Sequence, residues 1–133
     1  MSRQLSFGWT VPALLAGRKT RTTRAWSAPY AMLFRVGETI DAWDRSPKYD
    51  GRRVARLRVT RDSYPQNTRH MPDDAYEREG FAFLDEQGWR PLPMALAPGT
   101  APDRMWRALF ERWRASAKDQ WVVEFVLISR EGN

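Results

Sequence analysis

The sequence of 133 residues contains no cysteine and a single histidine, His70. Without thiols the chain can form no disulfide, cysteine nucleophile or zinc–thiolate site, and it fits a reducing compartment. The expected location is therefore the cytoplasm. One histidine in a polar loop also gives little basis for a Ser-His-Asp triad or a histidine-rich metal site, so we predict no bound metal.

Long apolar runs are also absent, because no segment approaches the ~20 residues that span a bilayer. The N-terminal residues do not have the pattern of a signal peptide, so no membrane association is predicted. The length fits a single domain, 1–133, and an apolar content of 42% with seven Trp is enough to build a core. The sequence does not decide between a monomer and a dimer.

Lysine is scarce, since only three of the 22 basic residues are Lys and the rest are Arg. The formal net charge is +6. Arginine suits bidentate contacts with phosphate and stacking on bases, so this surface favours a polyanionic partner. A genome rich in G and C would produce the same bias without any such partner.

A helix followed directly by a strand is predicted near the N-terminus. Thr10–Gly17 has a candidate N-cap in Thr10, a proline in the first turn and a glycine stop. Thr20–Arg24 alternates β-branched residues with arginine, which is typical of a strand. We expect the chemistry of the protein at this junction.

Three further strands follow from alternating or continuous apolar patterns. Thr39–Trp43 follows a glycine turn, and Val54–Thr60 places Arg56 and Arg58 on its polar face. Trp121–Ile128 is apolar on both faces apart from Glu124, as in a central strand. The segments 46–51 and 65–72 are predicted as loops.

Helices are predicted at Asp73–Glu79, at Phe81–Gln87 and, most clearly, at Asp103–Ser116, whose apolar residues recur at helical spacing. Asp73 and Asp74 are interpreted as helix-capping acids rather than metal ligands. The proline-rich stretch Pro91–Pro102 is predicted as an irregular connection. Strands and helices do not alternate regularly, so the expected class is α+β, with a small mixed β-barrel flanked by short helices.

The junction segment resembles the signature of the ASCH family, a short helix followed by Gly-x-Lys-Thr-x-Thr-x-Arg. A P-loop is excluded because the upstream glycine and the adjacent Gly-Lys pair are missing, so no cofactor is predicted. The likeness extends to Phe34-Arg-Val-Gly-Glu, to Glu79-Gly80-Phe81 and to the last helix and strand. It covers nearly the whole chain apart from the proline-rich stretch, and it implies a PUA-like barrel. The matching signature residues are Gly17, Lys19, Thr20, Thr22 and Arg24.

Some small bacterial ASCH proteins are amidohydrolases that remove the acetyl group from acetylated cytidine. By resemblance, Thr22 would be the nucleophile, Lys19 its base, and Glu79 an acid or an orienting group. Lys19 would then have to lose its proton near neutral pH, which requires a pKa about three units below 10.4, or about 4 kcal/mol. Neighbouring arginines favour that shift, whereas a nearby Glu79 carboxylate opposes it.

Two other interpretations stay open. In a non-catalytic RNA-binding module, arginines would hold phosphates while Trp26 or Tyr30 stacks on a base, although core packing is the favoured interpretation of Trp26 taken alone. In a ribonuclease, Lys19 and the arginines would stabilise a phosphorane-like transition state. In a regular strand Thr20 and Thr22 share one face, so the pattern does not show which of them faces the cleft. Lys19 would point to the opposite face of that strand, so it must lie in the preceding turn. For a partner that is RNA or a modified nucleoside, the predicted binding residues are Arg18, Thr20, Arg21, Arg24, Trp26, Arg56 and Arg58.

Overall fold

A computed structural model describes residues 3–89 and 105–131 of the chain. The predicted connection Pro91–Pro102 lies outside these residues, as do the first two residues of the predicted helix Asp103–Ser116. No helix in the described ranges has the length and apolar character needed to cross a membrane.

Short helices and strands make up the described chain. The strands are β1 (Arg3–Ser6), β2 (Arg21–Arg24), β3 (Thr39–Trp43), β4 (Arg53–Val59), β5 (Tyr64–Asn67) and β6 (Asp119–Arg130). The helices are α1 (Val11–Leu15), α2 (Ala28–Ala31), α3 (Ala75–Arg78), α4 (Phe81–Glu86) and α5 (Met105–Ala115). Single 3₁₀ turns occur at Gly8–Thr10, Pro47–Tyr49 and Thr68–His70.

The strands form one mixed sheet in which β6 is the longest member. Its order is β1-β3-β4-β6-β2, with β5 also paired to β6. Only β1 and β3 run parallel; the other pairs are antiparallel. Trp121 and Val122 each pair with both β2 and β5, so those two strands lie on opposite edges of β6. The sheet curls into a half-barrel, which confirms the predicted α+β class with a barrel-like sheet and short helices.

Two apolar clusters stabilise this arrangement. The larger one lies inside the curled sheet and includes Phe34, Ile40, Leu57 and Phe125, with Leu14 of α1 closing it. The smaller one packs α3, α4 and α5 together through residues such as Phe81 and Phe110. The cavity described below is lined by residues of both clusters.

Gly80 brings the two clusters into contact at one point. It has a φ of +106°, in the region that favours glycine, and it separates α3 from α4. A Cβ at this position would lie 2.9 Å from the Cβ of Ala13 in α1. The absence of a side chain therefore lets the end of α3, with Glu79, approach α1 and Lys19.

Most predicted elements are confirmed with slightly different bounds. In β4 the residues Ala55, Leu57 and Val59 are buried and the arginines between them are exposed, as the alternation requires. α1 begins directly after Thr10, as predicted, but its last helical residue is Leu15, and a 3₁₀ turn at Gly8–Thr10 precedes it. The hydroxyl of Thr10 donates to the carbonyl of Phe7 at 2.7 Å instead of capping the helix.

The assignment of 65–72 as a loop was wrong at its start, where Tyr64–Asn67 forms β5. β5 pairs only with β6 in the described chain, and such an edge strand tolerates Pro65, which has no N–H to donate. The sequence patterns also missed β1 and α2, which are four residues each. The capping role of Asp73 and Asp74 was wrong as well: Asp74 makes no side-chain cap, and Asp73 pairs with Arg114 at 2.8 Å.

Gly80→Ala tests whether the close approach at Gly80 is required. We expect a loss of about 2–4 kcal/mol in the free energy of unfolding, because the left-handed conformation and the contact with Ala13 both oppose a side chain. Gly37→Ala is the matched control, since Gly37 has a φ of +90° but nothing within 4 Å of its added Cβ. It should lose only about 1 kcal/mol in urea unfolding. Equal losses in both variants would contradict the packing argument.

Candidate active site

A cavity of about 880 Å³ opens beside β2. It is lined by Thr22, Thr23 and Arg24, which are consecutive in the strand. Neighbouring strand residues point to opposite faces, so a cavity that touches all three must border an edge of the strand. β2 pairs with β6 alone within the described sheet, which leaves its other edge for the cavity. Lys19 and Glu79 also line the cavity and, together with these three strand residues, are called its inner wall below.

Glu79 is the centre of a buried ionic cluster. Lys19 Nζ donates to the Glu79 carbonyl oxygen at 2.7 Å and to Oε1 at 3.3 Å. Arg21 Nε and Thr23 Oγ1 donate to Oε2 at 3.1 and 2.5 Å. The side chains of Lys19, Arg21 and Glu79 are only 4%, 1% and 4% exposed. Both carboxylate oxygens are thus occupied by neighbours from the helix–strand junction.

Backbone hydrogen bonds place Lys19 in the turn before β2, where the sequence requires it. α1 ends at Leu15 and is followed by Gly17, whose φ is +74°; the next two N–H groups both donate to the Ala13 carbonyl at 3.0 and 3.1 Å. The N–H of Thr20 then donates to the Arg78 carbonyl at 2.8 Å. This bond joins the start of β2 to the end of α3, beside Glu79.

Burial lowers the pKa of Lys19 below its ordinary value of 10.5. The Glu79 carboxylate acts in the opposite direction, while the charges of Arg24 and Arg21 lower the pKa further. A neutral Lys19 amine can donate its two N–H groups to the two Glu79 oxygens and still keep its lone pair free. The geometry therefore suits Lys19 to accept a proton.

Thr22 and Arg24 form the second polar pair of the wall. Arg24 Nε donates to Thr22 Oγ1 at 3.0 Å, and Arg24 Nη2 donates to the Ser6 carbonyl at 2.7 Å. No hydrogen bond joins Lys19 to Thr22 in the described chain, although both side chains line the cavity. Thr22, and not Thr20, faces the cavity, since Thr20 Oγ1 accepts from Arg78 Nε outside it.

The other predicted binding residues lie apart from the cavity wall. Arg18 pairs with Glu77 and Glu86 at the surface, at 2.5 and 2.6 Å. Arg21 is buried beside Glu79; its Nε donates to that carboxylate, and its Nη1 and Nη2 donate to Tyr64 Oη and Gln66 Oε1. These placements do not bring the predicted arginines together as one phosphate-binding group.

Arg56 and Arg58 lie on the exposed face of β4, and neither lines the cavity. Trp26 stacks on Phe34, with ring centroids 4.8 Å apart, and packs against the core in the described chain. This contact agrees with the packing interpretation of Trp26.

Several lining residues were not identified from sequence. Trp9 is 57% exposed and stacks on Trp106, with ring centroids 5.4 Å apart. The signal available in the sequence was a large aromatic residue between a glycine and a threonine, directly before the predicted first helix. Gln120 contributes a buried Oε1 that has no hydrogen-bond partner among the described residues. Further lining comes from Arg45, Phe81, Arg112, Trp113 and Lys118.

Comparison with known proteins adds information about the fold. No family model and no curated protein matches the sequence. The chain is similar in structure to protein EF3133 from Enterococcus faecalis V583, whose crystal structure is described as that of a DUF984 protein. The TM-score is 0.57 and the identity 14%, over 100% of this chain and 84% of that one. This likeness supports the half-barrel fold and assigns no activity.

Glu79→Gln tests the electrostatic coupling within the cluster. Removing the carboxylate charge should lower the pKa of Lys19 further, because Glu79 is the group that favours the ammonium form. Loss of the shared counter-ion should also destabilise the fold by about 3 kcal/mol, since buried cations are left unpaired. The pKa can be followed by NMR of the Lys19 side chain. Glu77→Gln, which alters only the surface pair with Arg18, is the control; a Lys19 pKa that responds equally to both changes would contradict the coupling.

Proposed function

We propose that this chain is an ASCH-type amidohydrolase that acts on an acetylated cytidine. The observation that carries the proposal is the position of Lys19, Thr22 and Glu79 in the wall of one cavity. They are the residues that the family resemblance assigns to catalysis. Thr22 and Glu79 are 57 positions apart in the sequence, so their meeting in one cavity wall is informative.

The cavity suits a nucleoside in size and surface. Its volume of about 880 Å³ lies within the usual ~300–1,000 Å³ range of small-molecule sites. The aromatic rings of Trp9, Phe81 and Trp113 offer apolar surface for a base, and the polar groups of β2 lie at the inner wall. A pyrimidine packed among these rings would direct its acylated amine towards Thr22.

In the first step, Thr22 Oγ adds to the amide carbonyl carbon. Lys19, as the neutral amine, takes the hydroxyl proton, and the carbonyl π electrons move onto oxygen to form a tetrahedral oxyanion. Collapse of this species breaks the carbon–nitrogen bond, and the leaving amine takes the proton from the Lys19 ammonium. Cytidine leaves and the acetyl group remains as an ester on Thr22.

In the second step, water attacks the ester carbonyl while Lys19 accepts a proton from it. The ester bond breaks, Thr22 recovers its proton, and acetate is released. Lys19 thus acts as base and then acid in both halves of the reaction. Glu79 positions the Lys19 amine through its carbonyl and carboxylate oxygens and is itself held by Arg21 and Thr23.

RNA binding without catalysis is the second candidate. The observation that favours it is the excess of positive charge around the cavity, where Arg45 and Lys118 form no ion pair with any described residue. Exposed Trp9 would then serve as a stacking platform for a base. A ribonuclease remains a further outcome to be tested with the same samples.

Release of cytidine from acetylated cytidine tests the amidohydrolase proposal directly. We expect turnover by the wild type and a loss of about 10²–10⁴-fold in Lys19→Met, which removes the base. Thr22→Val should lose at least as much, because it keeps the shape of the side chain and removes the nucleophilic oxygen. Chromatography of the products measures both effects.

Thr60→Val is the matched control, since Thr60 is exposed and far in sequence from the cavity-lining residues. It should keep wild-type turnover. An RNA oligomer is incubated in parallel. Salt-sensitive RNA retention without cytidine release would favour the binding module, and cleaved RNA would favour a ribonuclease; either result would contradict the amidohydrolase proposal.

The rate should depend on pH through Lys19. Its neutral form is the reactive one, so kcat/KM should rise about tenfold per pH unit below the pKa of Lys19 and level off above it. Because burial lowers this pKa, the plateau should be reached below pH 10.5. The charged groups that face Lys19 are Glu79 at the end of α3 and Arg21 and Arg24 on β2. A rate that falls as pH rises across this range would contradict the role of Lys19 as base.

A further inference from the structure

Arg24 differs from the other charged residues of the inner wall because it has no carboxylate partner. Its two hydrogen bonds go to neutral acceptors, Thr22 Oγ1 and the Ser6 carbonyl oxygen. It forms no ion pair with any residue in 3–89 or 105–131. Arg21, three residues earlier on the same strand, donates instead to the Glu79 carboxylate. The positive charge of Arg24 therefore has no direct carboxylate partner in the described protein, and the Glu79 carboxylate favours that charge only from beyond ion-pair distance.

The charge balance of the wall reinforces this point. Three cations, Lys19, Arg21 and Arg24, surround the single carboxylate of Glu79. Even when Lys19 is neutral, one positive charge remains uncompensated. Burying an unpaired charge costs free energy. An anion that enters the cavity and pairs with this charge is therefore bound favourably.

The position of the guanidinium limits which anion this is. Arg24 Nε is 3.0 Å from Thr22 Oγ1, the proposed nucleophile. Phe7 and Trp26 flank the guanidinium, with Arg24 Cζ 5.3 and 6.0 Å from their ring centroids, and so hold its plane. An arginine has five N–H groups, so three remain for a ligand after the bonds to Thr22 and Ser6. An atom bonded to Thr22 Oγ would bring its own oxygen within reach of these donors.

We infer that Arg24 is a catalytic residue that stabilises the oxyanion formed when Thr22 adds to the amide carbonyl, a role that rests on the proposed function. The charge on that oxygen appears only as the carbonyl π electrons shift during addition. Donors already oriented towards it stabilise the transition state more than the neutral substrate. Arg24 thereby places its positive charge beside the negative oxygen. The oxyanion, in turn, is the direct anionic partner that Arg24 lacks in the described protein.

The test compares Arg24→Gln and Arg24→Lys with wild type on acetylated cytidine, an uncharged substrate. Arg24→Gln should reduce kcat by about 10²–10³-fold with KM changed only a few-fold, because the missing interaction forms in the transition state. Arg24→Lys should recover part of the loss, since it keeps the charge without the planar fork. Arg35→Gln, in a surface pair with Asp62, is the control and should behave as wild type.

A second readout uses a cytidine whose acetyl group is replaced by an anionic methylphosphonyl group, which resembles the tetrahedral oxyanion. Wild type should bind this analogue more tightly than the substrate, and Arg24→Gln should lose at least tenfold in affinity by calorimetry. Thermal unfolding identifies any variant that fails to fold, and Arg24→Lys then decides the comparison.

The two proposals fail in different ways. Hydrolysis by wild type with an unchanged kcat in Arg24→Gln, or a change in KM alone, would overturn the role of Arg24 while the amidohydrolase function stands. No hydrolysis by wild type would remove the proposed function. In that case, binding of the phosphonyl analogue that depends on Arg24 would support an anion site, and its absence would overturn this inference as well.

Discussion

The buried carboxylate of Glu79 is the interaction on which the rest of the site depends. It accepts hydrogen bonds from Lys19, Arg21 and Thr23, which belong to a different part of the chain. Neither Lys19 nor Arg21 could be buried at low cost without this carboxylate, because an unpaired charge in the interior costs several kcal/mol. The approach is permitted by Gly80, whose missing side chain lets the turn between α3 and α4 lie against Ala13 of α1. One ionic cluster thus joins the half-barrel to the helical layer.

This cluster leaves Lys19 and Arg24, the two basic residues that line the cavity beside Glu79, in contrasting electrostatic environments. Lys19 shares the Glu79 charge, yet burial and the neighbouring arginines still lower its pKa. Arg24 lies beside Thr22 with neutral acceptors only. A base that releases its proton readily and a cation without a direct carboxylate partner therefore line the same cavity as the Thr22 hydroxyl. This asymmetry, more than the total charge of the protein, gives the cavity its proposed chemistry.

Local sequence patterns predicted the helices and strands in which buried and exposed residues recur regularly. They failed for elements that form only because they pair with a strand distant in sequence. The alternation in β4 and the helical spacing of Trp106 and Phe110 reflect burial on one side, which the sequence records directly. β5 was missed because its Pro65 is unfavourable in a strand and is tolerated only at an edge of the sheet. The placement of Arg56 and Arg58 on the exposed face followed from alternation, but their distance from the cavity depends on how the sheet curls.

By itself the sequence determined the α+β class, the helix–strand junction and the residue types at Lys19, Thr22, Arg24 and Glu79, because these follow from local spacing and resemblance. Only the tertiary structure decided that Thr22, rather than Thr20, faces the cavity, since that depends on which edge of β2 is left open. It also decided that Arg21 forms an ion pair with Glu79, whereas Arg24 donates to the neutral hydroxyl of Thr22. Ion pairing depends on distances between segments far apart in the chain, and a linear pattern contains no information about those distances.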